Sequence, residues 1–376
     1  MVSLLSSFSK NNPKLKKDLK HIVLYPLSLL YGLIVDIRNW LFDEKIFHSV
    51  GFDVPTIVLG NLAVGGTGKT PHAEFVLSHL QHEFKTAFLS RGYKRKTKGF
   101  VLADKNASAA TIGDEPFQIF RKFPNVKVAV DEKRVEGIKR LLKLFPDLQL
   151  IVLDDAFQHR YLLPGFSVLL TDYSNLYTSD FFLPAGSLRE SKEGSHRANL
   201  IVVTKCPENL KPIDKRIIEM ELHPLPYQQV FFSTFRYHDP VPVFPELTTE
   251  SWTLSKLREE NPAVLMVTGI ASPQSMKDFL KDYVSTLKEV SFPDHHKFSK
   301  NDFQYIQQEW DALPSENKII IVTEKDAARL YNDKYLPETL KTKMFALPIE
   351  VKFLFDQESL FIQKLKDYVR ENSRNR

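Results

Sequence analysis

The stretch Val54 to Thr70, VPTIVLGNLAVGGTGKT, decides how the rest of the chain is read. Thr56 to Leu59 is an apolar run that predicts a buried strand ending at Gly60. Gly65, Gly66 and Gly68 then leave the backbone free to turn tightly, so that successive N–H groups face a phosphate. Lys69 is placed to reach β- and γ-phosphates, and the Thr70 hydroxyl to ligate Mg²⁺. Pro71 marks the start of a helix over 71–82, where its missing N–H costs little and the dipole points its positive end at the phosphates. The strict pattern asks for glycine at 63, where this chain has Ala63. The physics survives, because the three glycines nearest the lysine remain. Ala63, Val64, Gly65, Gly66, Thr67, Gly68, Lys69 and Thr70 are therefore expected to hold a nucleoside triphosphate.

Working outward, Leu148 to Leu153 predicts a second buried strand ending in Asp154-Asp155. An acid at the carboxyl end of a central strand is where a metal-ordering carboxylate belongs. Two adjacent acids could hold Mg²⁺ and its waters, or one could steer the nucleophile. Ser90 to Lys98, SRGYKRKTK, follows a short strand and carries five cations in the eight residues from Arg91. It suits a phosphate-bearing partner, although a solvated surface loop has the same composition. Gly113-Asp114-Glu115-Pro116 opens a helical pattern, where acids commonly serve only the helix N-terminus. Asp294, His295 and His296 in SFPDHHKF form a polar loop that alone would carry little weight.

The composition narrows the classes. Fifty-one basic against 46 acidic residues give a net charge of +5, too mild to argue for nucleic acid. A single cysteine, Cys206, excludes an intramolecular disulfide framework and a cysteine zinc cluster. Lys10, Lys14, Lys16, Lys17 and Lys20 precede the uncharged run His21 to Val35, which is too short for a bilayer span of ~20 residues. No small-residue cleavage site follows it. Basic residues before an amphipathic, aromatic-bearing helix suit either the membrane interface or packing on the next domain.

In order along the chain, GNLAVGGTGKTP (60–71), LSRGYKR (89–95), GDEP (113–116), LDDAFQHR (153–160), LPAGSLRE (183–190), VTGIASP (267–273), FPDHHKF (292–298) and TEKDAARL (323–330) together resemble the tetraacyldisaccharide 4'-kinase family, the lipid A 4'-kinases. The resemblance implies ATP- and Mg²⁺-dependent phosphorylation of the 4'-hydroxyl of an acylated glucosamine disaccharide 1-phosphate. It implies work at the cytoplasmic face of the bacterial inner membrane as a peripheral protein, with no nucleic acid partner. Carried over residue by residue, it gives Asp114 and His295 as the catalytic acid–histidine pair, with Lys69. It places Asp154 and Asp155 with Thr70 at the metal. It assigns Arg91, Lys94, Arg95, Gln158, His159 and Arg189 to the substrate. Family members often have glycine where this chain has Ala156, and they vary at His296. The competing reading is a membrane-associated P-loop GTPase or ATPase switch. Val203-Thr204-Lys205 suggests a guanine-reading strand end, but Cys206 and Pro207 replace the rest of N-K-x-D.

Apolar runs at 56–59, 86–89, 126–130, 148–153, 166–170 and 200–203 alternate with helical patterns, including 131–145. The expected class is α/β: a P-loop NTPase-type parallel sheet domain, a second, smaller α/β lobe and an N-terminal amphipathic helix. The expected divisions are a basic, interfacial segment over 1–50, the P-loop core over 51–205, a proline-rich connection over 206–260, and the smaller lobe over 261–376. That lobe restarts with strands at 263–269 and 319–325 and ends in a helix over 354–370.

Overall fold

This computed structural model describes residues 13–270, 273–294, 296–331 and 333–373, with side chains from Val23 onward. The strands run β1 (Thr56–Gly60), β2 (Thr86–Ser90), β3 (Val101–Leu102), β4 (Lys127–Val130), β5 (Leu150–Asp154), β6 (Phe166–Asp172) and β7 (Leu200–Thr204). They continue as β8 (Gln229–Tyr237), β9 (Val241–Pro242), β10 (Ala263–Thr268), β11 (Leu287–Ser291), β12 (Lys318–Thr323), β13 (Met344–Leu347) and β14 (Ile349–Phe353).

Nine strands form one sheet in the order β14-β8-β7-β6-β1-β5-β2-β4-β3. Its seven inner strands are parallel, and β3 and β14 close the two edges antiparallel. Strands such as TIVLG and LIVLD are buried along their whole length, because helices cover both faces of a parallel sheet. One face packs on the helices Lys69–Leu80, Asp114–Lys122 and Glu358–Ser373, the other on Arg134–Leu144 and Pro212–Leu222. The strand order reverses around β1, so its carboxyl end opens on the crevice where ligands of such sheets bind. Asp154, Asp172 and Thr204 end the neighbouring strands at that same edge. The smaller sheet runs β11-β10-β12-β13-β9 and is parallel except for β9.

The α/β class is as expected, and several boundaries move for local reasons. The helix after the phosphate loop starts at Lys69 rather than 71, which leaves Pro71 inside the first turn, where no N–H is required. The helix expected from 131 starts at Arg134, because the Asp131 N–H bonds Ser90 O at 3.0 Å and its carboxylate accepts the Lys133 N–H at 2.9 Å. The last helix starts at Glu358 instead of 354, since Phe355 and Asp356 take φ of 57° and 54° in a turn. The division of the second half also differs from expectation. Within 206–260, β8 belongs to the large sheet and β9 to the small one. Within 261–376, β14 and the final helix return to the large sheet, where Phe361, Leu365 and Val369 join its core. The chain thus crosses between the sheets twice, after Tyr237 and after Leu347.

The N-terminal helix Pro13–Asp43 spans 31 residues. It docks through buried Ser28, whose Oγ accepts the Ala185 N–H at 2.9 Å, and through Tyr31, whose hydroxyl donates to Arg189 O at 3.0 Å. At its end Arg160 bonds Asn39 O at 3.1 Å and pairs with Asp43 at 2.6 Å. Its other side leaves Leu27, Leu30, Ile34, Ile37 and Trp40 about half exposed. Among the described residues no helix is long and apolar enough to cross a membrane.

Candidate active site

Two constellations lie at the carboxyl edge of the large sheet, and the phosphate loop is the first. Gly65 and Gly68 take φ of 121° and 83°, a left-handed geometry that glycine adopts at no steric cost. A Cβ at Gly68 would come within 2.6 Å of the Phe235 ring. The loop is pinned from outside. The Asn61 amide donates to Thr67 Oγ1 at 3.0 Å, the Thr204 hydroxyl to Thr67 O at 3.0 Å, and the Val64 N–H to Ser187 O at 2.7 Å. Lys69 Nζ donates to Asn61 Oδ1 at 3.3 Å and lies 3.6 Å from Asp155. A cavity of about 150 Å³ adjoins Ala63, Val64, Gly65, Gly66 and Thr67 and reaches Lys205 and Asp172 at the ends of β7 and β6. Thr70 sits in the first turn of the helix behind the loop.

Asp154 and Asp155 have opposite electrostatic fates. Burial pushes the Asp154 carboxyl up to about 7, helped by the charges of Glu115 and Asp155. Its Oδ1 is buried without a hydrogen-bond partner, while Oδ2 accepts only a long bond from Ser90 at 3.4 Å. Burial would also raise Asp155, but Lys69 and Arg189 beside it draw it down to about 2. An orphaned carboxylate oxygen next to the phosphate loop is what a divalent cation would satisfy. Among the described residues no three His, Cys, Asp or Glu side chains cluster as a protein-only metal cage. Mg²⁺ suits such a site, since it keeps waters and phosphate oxygens as ligands.

Arg189 and Gln158, assigned to the substrate from the sequence, are engaged at the phosphate loop. Arg189 bonds Asp155 at 2.9 and 3.3 Å and also reaches Asn61 Oδ1. Gln158 Nε2 donates to Asn61 O at 2.6 Å and to Glu190 at 2.7 Å. The Arg95 side chain is only 2% exposed, and its Nη2 bonds Glu132 at 2.6 Å and Gly99 O at 2.5 Å. His159 is partly buried, and burial followed by the Arg134 charge lowers its pKa to about 4, which keeps it neutral. Arg91 is exposed, and its charge reaches both Arg134 and His159.

The second constellation surrounds Asp114, at the start of the helix Asp114–Lys122. A cavity of about 420 Å³ brings Asp114 together with Lys94 and Lys96 of the basic loop and with His296 and Lys297 of the FPDHHKF loop. Lys325 joins the segments further, lying 3.4 Å from Glu115 and 3.6 Å from Asp294. Asp114 itself accepts a bond from Arg329 Nε at 2.7 Å. His295, the expected partner of Asp114, lies outside the described residues. His296 is held by Asp302 at 3.0 Å and stacks on Phe292 with ring centroids 4.7 Å apart.

Reading the residues alone missed Asn61, Arg134, Glu190, Lys325 and Arg329. Arg134 is buried and donates to the carbonyls of Asp131, Asp154 and Asp155 at 3.2, 3.4 and 3.3 Å. Glu190 is buried between Gln158 and Arg197. The signal for four of them was in plain view. Asn61, Glu190, Lys325 and Arg329 stand inside GNLAVGG, LPAGSLRE and TEKDAARL, segments dense in polar residues beside apolar strands.

A glycine-bearing loop between a central parallel strand and a helix, with an acid ending the next strand, defines a P-loop nucleotide-binding protein. The family described as tetraacyldisaccharide-1-P 4'-kinase matches residues 20–370. The chain belongs to that family. It is 49% identical to the tetraacyldisaccharide 4'-kinase of Bacteroides thetaiotaomicron over 94% of this chain and 95% of that one. With the Flavobacterium johnsoniae protein of the same name the identity is 43%, covering 93% and 97%. Among solved structures, LpxK from Aquifex aeolicus in complex with ATP superposes with a TM-score of 0.71 at 28% identity, covering 93% of this chain and 99% of that one.

Proposed function

We propose that this protein transfers the γ-phosphate of ATP to the 4'-hydroxyl of an acylated glucosamine disaccharide 1-phosphate, a lipid A precursor. The observation that carries this reading is the pairing of two sites in one molecule. A phosphate loop gripped by Lys69 and Asp155 lies beside a cavity that carries an aspartate at its wall and lysines at its rim. Membership of the 4'-kinase family disfavours the nucleotide-switch alternative.

In this reading the loop amides and Lys69 hold the β- and γ-phosphates and neutralise their charge. Arg189 and Asn61 hold Lys69 and Asp155 in register. Thr70, Asp154 and Asp155 would hold a Mg²⁺, which when bound supplies further charge neutralisation on the phosphates. Asp114 accepts the proton of the attacking hydroxyl, and His295 orients it. The cavity lysines draw in the anionic disaccharide, Lys94 from the basic loop among them. The exposed apolar face of the N-terminal helix, preceded in sequence by lysines, lies in the membrane interface beside the cytoplasm, so that a lipid substrate need not leave the bilayer.

The test is transfer of labelled γ-phosphate from ATP to a tetraacylated glucosamine disaccharide 1-phosphate in detergent micelles. Labelled lipid is the expected product; release of free phosphate that ignores the lipid would restore the switch. Deleting residues 1–42 should move the protein from the membrane fraction to the supernatant, and retention of that variant with membranes would refute the interfacial role.

A further inference from the structure

The helix Glu324–Leu330 of the smaller lobe presses its charged side chains against the helix Asp114–Lys122 of the larger one. Glu324 pairs with Lys122 at 3.0 Å, Lys325 with Glu115 at 3.4 Å, and Arg329 with Asp114 at 2.7 Å. Of these contacts the Arg329 one is the most enclosed. Its side chain is 7% exposed, and its guanidinium is fixed at a second corner: Nη1 donates to Gly269 O at 2.8 Å and to Asp326 Oδ1 at 2.7 Å. Asp326 is wholly buried and is itself fixed, since its Oδ2 accepts the Gly269 N–H at 3.0 Å and the Thr323 hydroxyl at 2.7 Å. A guanidinium is planar, so anchoring Nη1 sets the direction in which Nε points. Nε points at Asp114 Oδ2.

We propose that Arg329 is a positioning residue for phosphoryl transfer: from the opposite lobe it fixes the carboxylate of Asp114 in the orientation that meets the acceptor hydroxyl. The last torsion of an aspartate is broad, and a helix-terminal aspartate without such a clamp samples a range of carboxylate planes. Near-attack geometry is lost within about 1 Å, at a cost of roughly 10²-fold in rate. Because the clamp is built on Gly269 and Asp326, which belong to the smaller lobe, Asp114 is set only while the two lobes are docked. Phosphate binding at Lys69 does not depend on it. The inference rests on the reading of Asp114 as the base.

The experiment compares kcat and KM for ATP in wild type and in four variants: R329M, R329K, the double variant R329M/D326N, and D114N. R329M should lower kcat by about 10²-fold with KM for ATP within about twofold. R329K should recover at least about tenfold of that loss, because an ammonium still reaches the carboxylate although it cannot hold both corners. R329M alone leaves Asp326 buried and unpaired, which threatens the fold. The double variant removes both charges, so it should fold with wild-type Tm and show the same kcat loss. The proposal falls if R329M or the double variant keeps kcat within about threefold of wild type. It falls equally if R329K is no better than R329M, which would make Arg329 a strut of the fold. D114N separates the two ideas: if it keeps wild-type kcat the base reading itself fails, and if only D114N is impaired the positioning role fails alone.

Discussion

The two halves of the site are built in different ways. On the donor side, Asn61 and Thr67 are six residues apart, Asn61 and Lys69 eight, and the whole loop hangs on one sheet edge. On the acceptor side, Asp114 and Arg329 are 215 residues apart and belong to different lobes. A phosphate grip can be made from consecutive backbone amides, so its geometry is a property of a short segment. On the proposed reading the base must meet a bulky lipid headgroup and needs a cavity, and the cavity beside Asp114 is lined by loops and helices of both lobes. The donor side is therefore shaped by its own segment and braced by Thr204 and Ser187 at the same sheet edge, and the acceptor side is set by docking.

That contrast is tested most sharply by a pair of substitutions. Lys69→Ala removes the only side-chain cation the loop itself supplies to the phosphates, and should cost about 10³-fold in kcat/KM with weakened ATP binding. Asp114→Ala should cost a similar factor, ~10²–10⁴, entirely in kcat, leaving ATP affinity as in wild type. Equilibrium binding of a fluorescent ATP analogue beside single-turnover transfer separates the two. If Asp114→Ala weakened nucleotide binding as much as Lys69→Ala, the division into donor and acceptor sides would be wrong.

The same contrast explains what could be read in advance. The strand, the glycine turn, Lys69 and the acids closing β5 were legible because spacing alone dictates their chemistry. A cation count could not tell that the Arg95 guanidinium pairs with Glu132. Arg189 looked like a substrate ligand and is engaged with Asp155, a partner 34 residues upstream that only the sheet brings near. Arg329 went unselected within a quoted segment, since its role exists only where the second lobe meets the first. The return of β14 and the final helix to the large sheet was hidden for a related reason. Ile349 to Phe353 alternates like any edge strand, and nothing local names β8 as its partner.

Local construction should also make the donor side intolerant of small changes. Gly68→Ala adds a methyl at φ 83° and within 2.6 Å of Phe235 Cζ. A non-glycine residue held there is strained, and Phe235 must move, so a loss of about 2 kcal/mol is expected. Chemical denaturation gives the number, and ATP binding should fall with it. An adjacent Gly66→Ala, with nothing within 4 Å of its Cβ and no positive φ, should leave stability within ~0.5 kcal/mol of wild type. Equal effects at 66 and 68 would show that the left-handed turn is not what holds the loop.

The smallest expected effect concerns pH. His72 is fully buried behind the loop, with Nδ1 2.7 Å from Gly68 O and Nε2 2.9 Å from Ser233 Oγ. A carbonyl can only accept, so Nδ1 carries the proton and Nε2 accepts from the serine hydroxyl. Burial lowers the His72 pKa to about 4, against the bond to Gly68 O, which favours the charged form. The folded state therefore holds this histidine neutral at pH values where the unfolded chain, at about 6.5, would protonate it. The folded-state pKa being depressed, the stability His72 contributes is complete above pH 6.5 and is lost as pH falls towards 4. Between pH 7.5 and 5.5 that amounts to about 1 kcal/mol. His72→Gln keeps an acceptor for Ser233 and cannot titrate, so its stability should fall less than that of wild type over this interval. Denaturation midpoints at the two pH values measure the difference. Parallel pH dependence in both proteins would mean that His72 does not carry the acid sensitivity, and that the back of the phosphate loop is indifferent to protons.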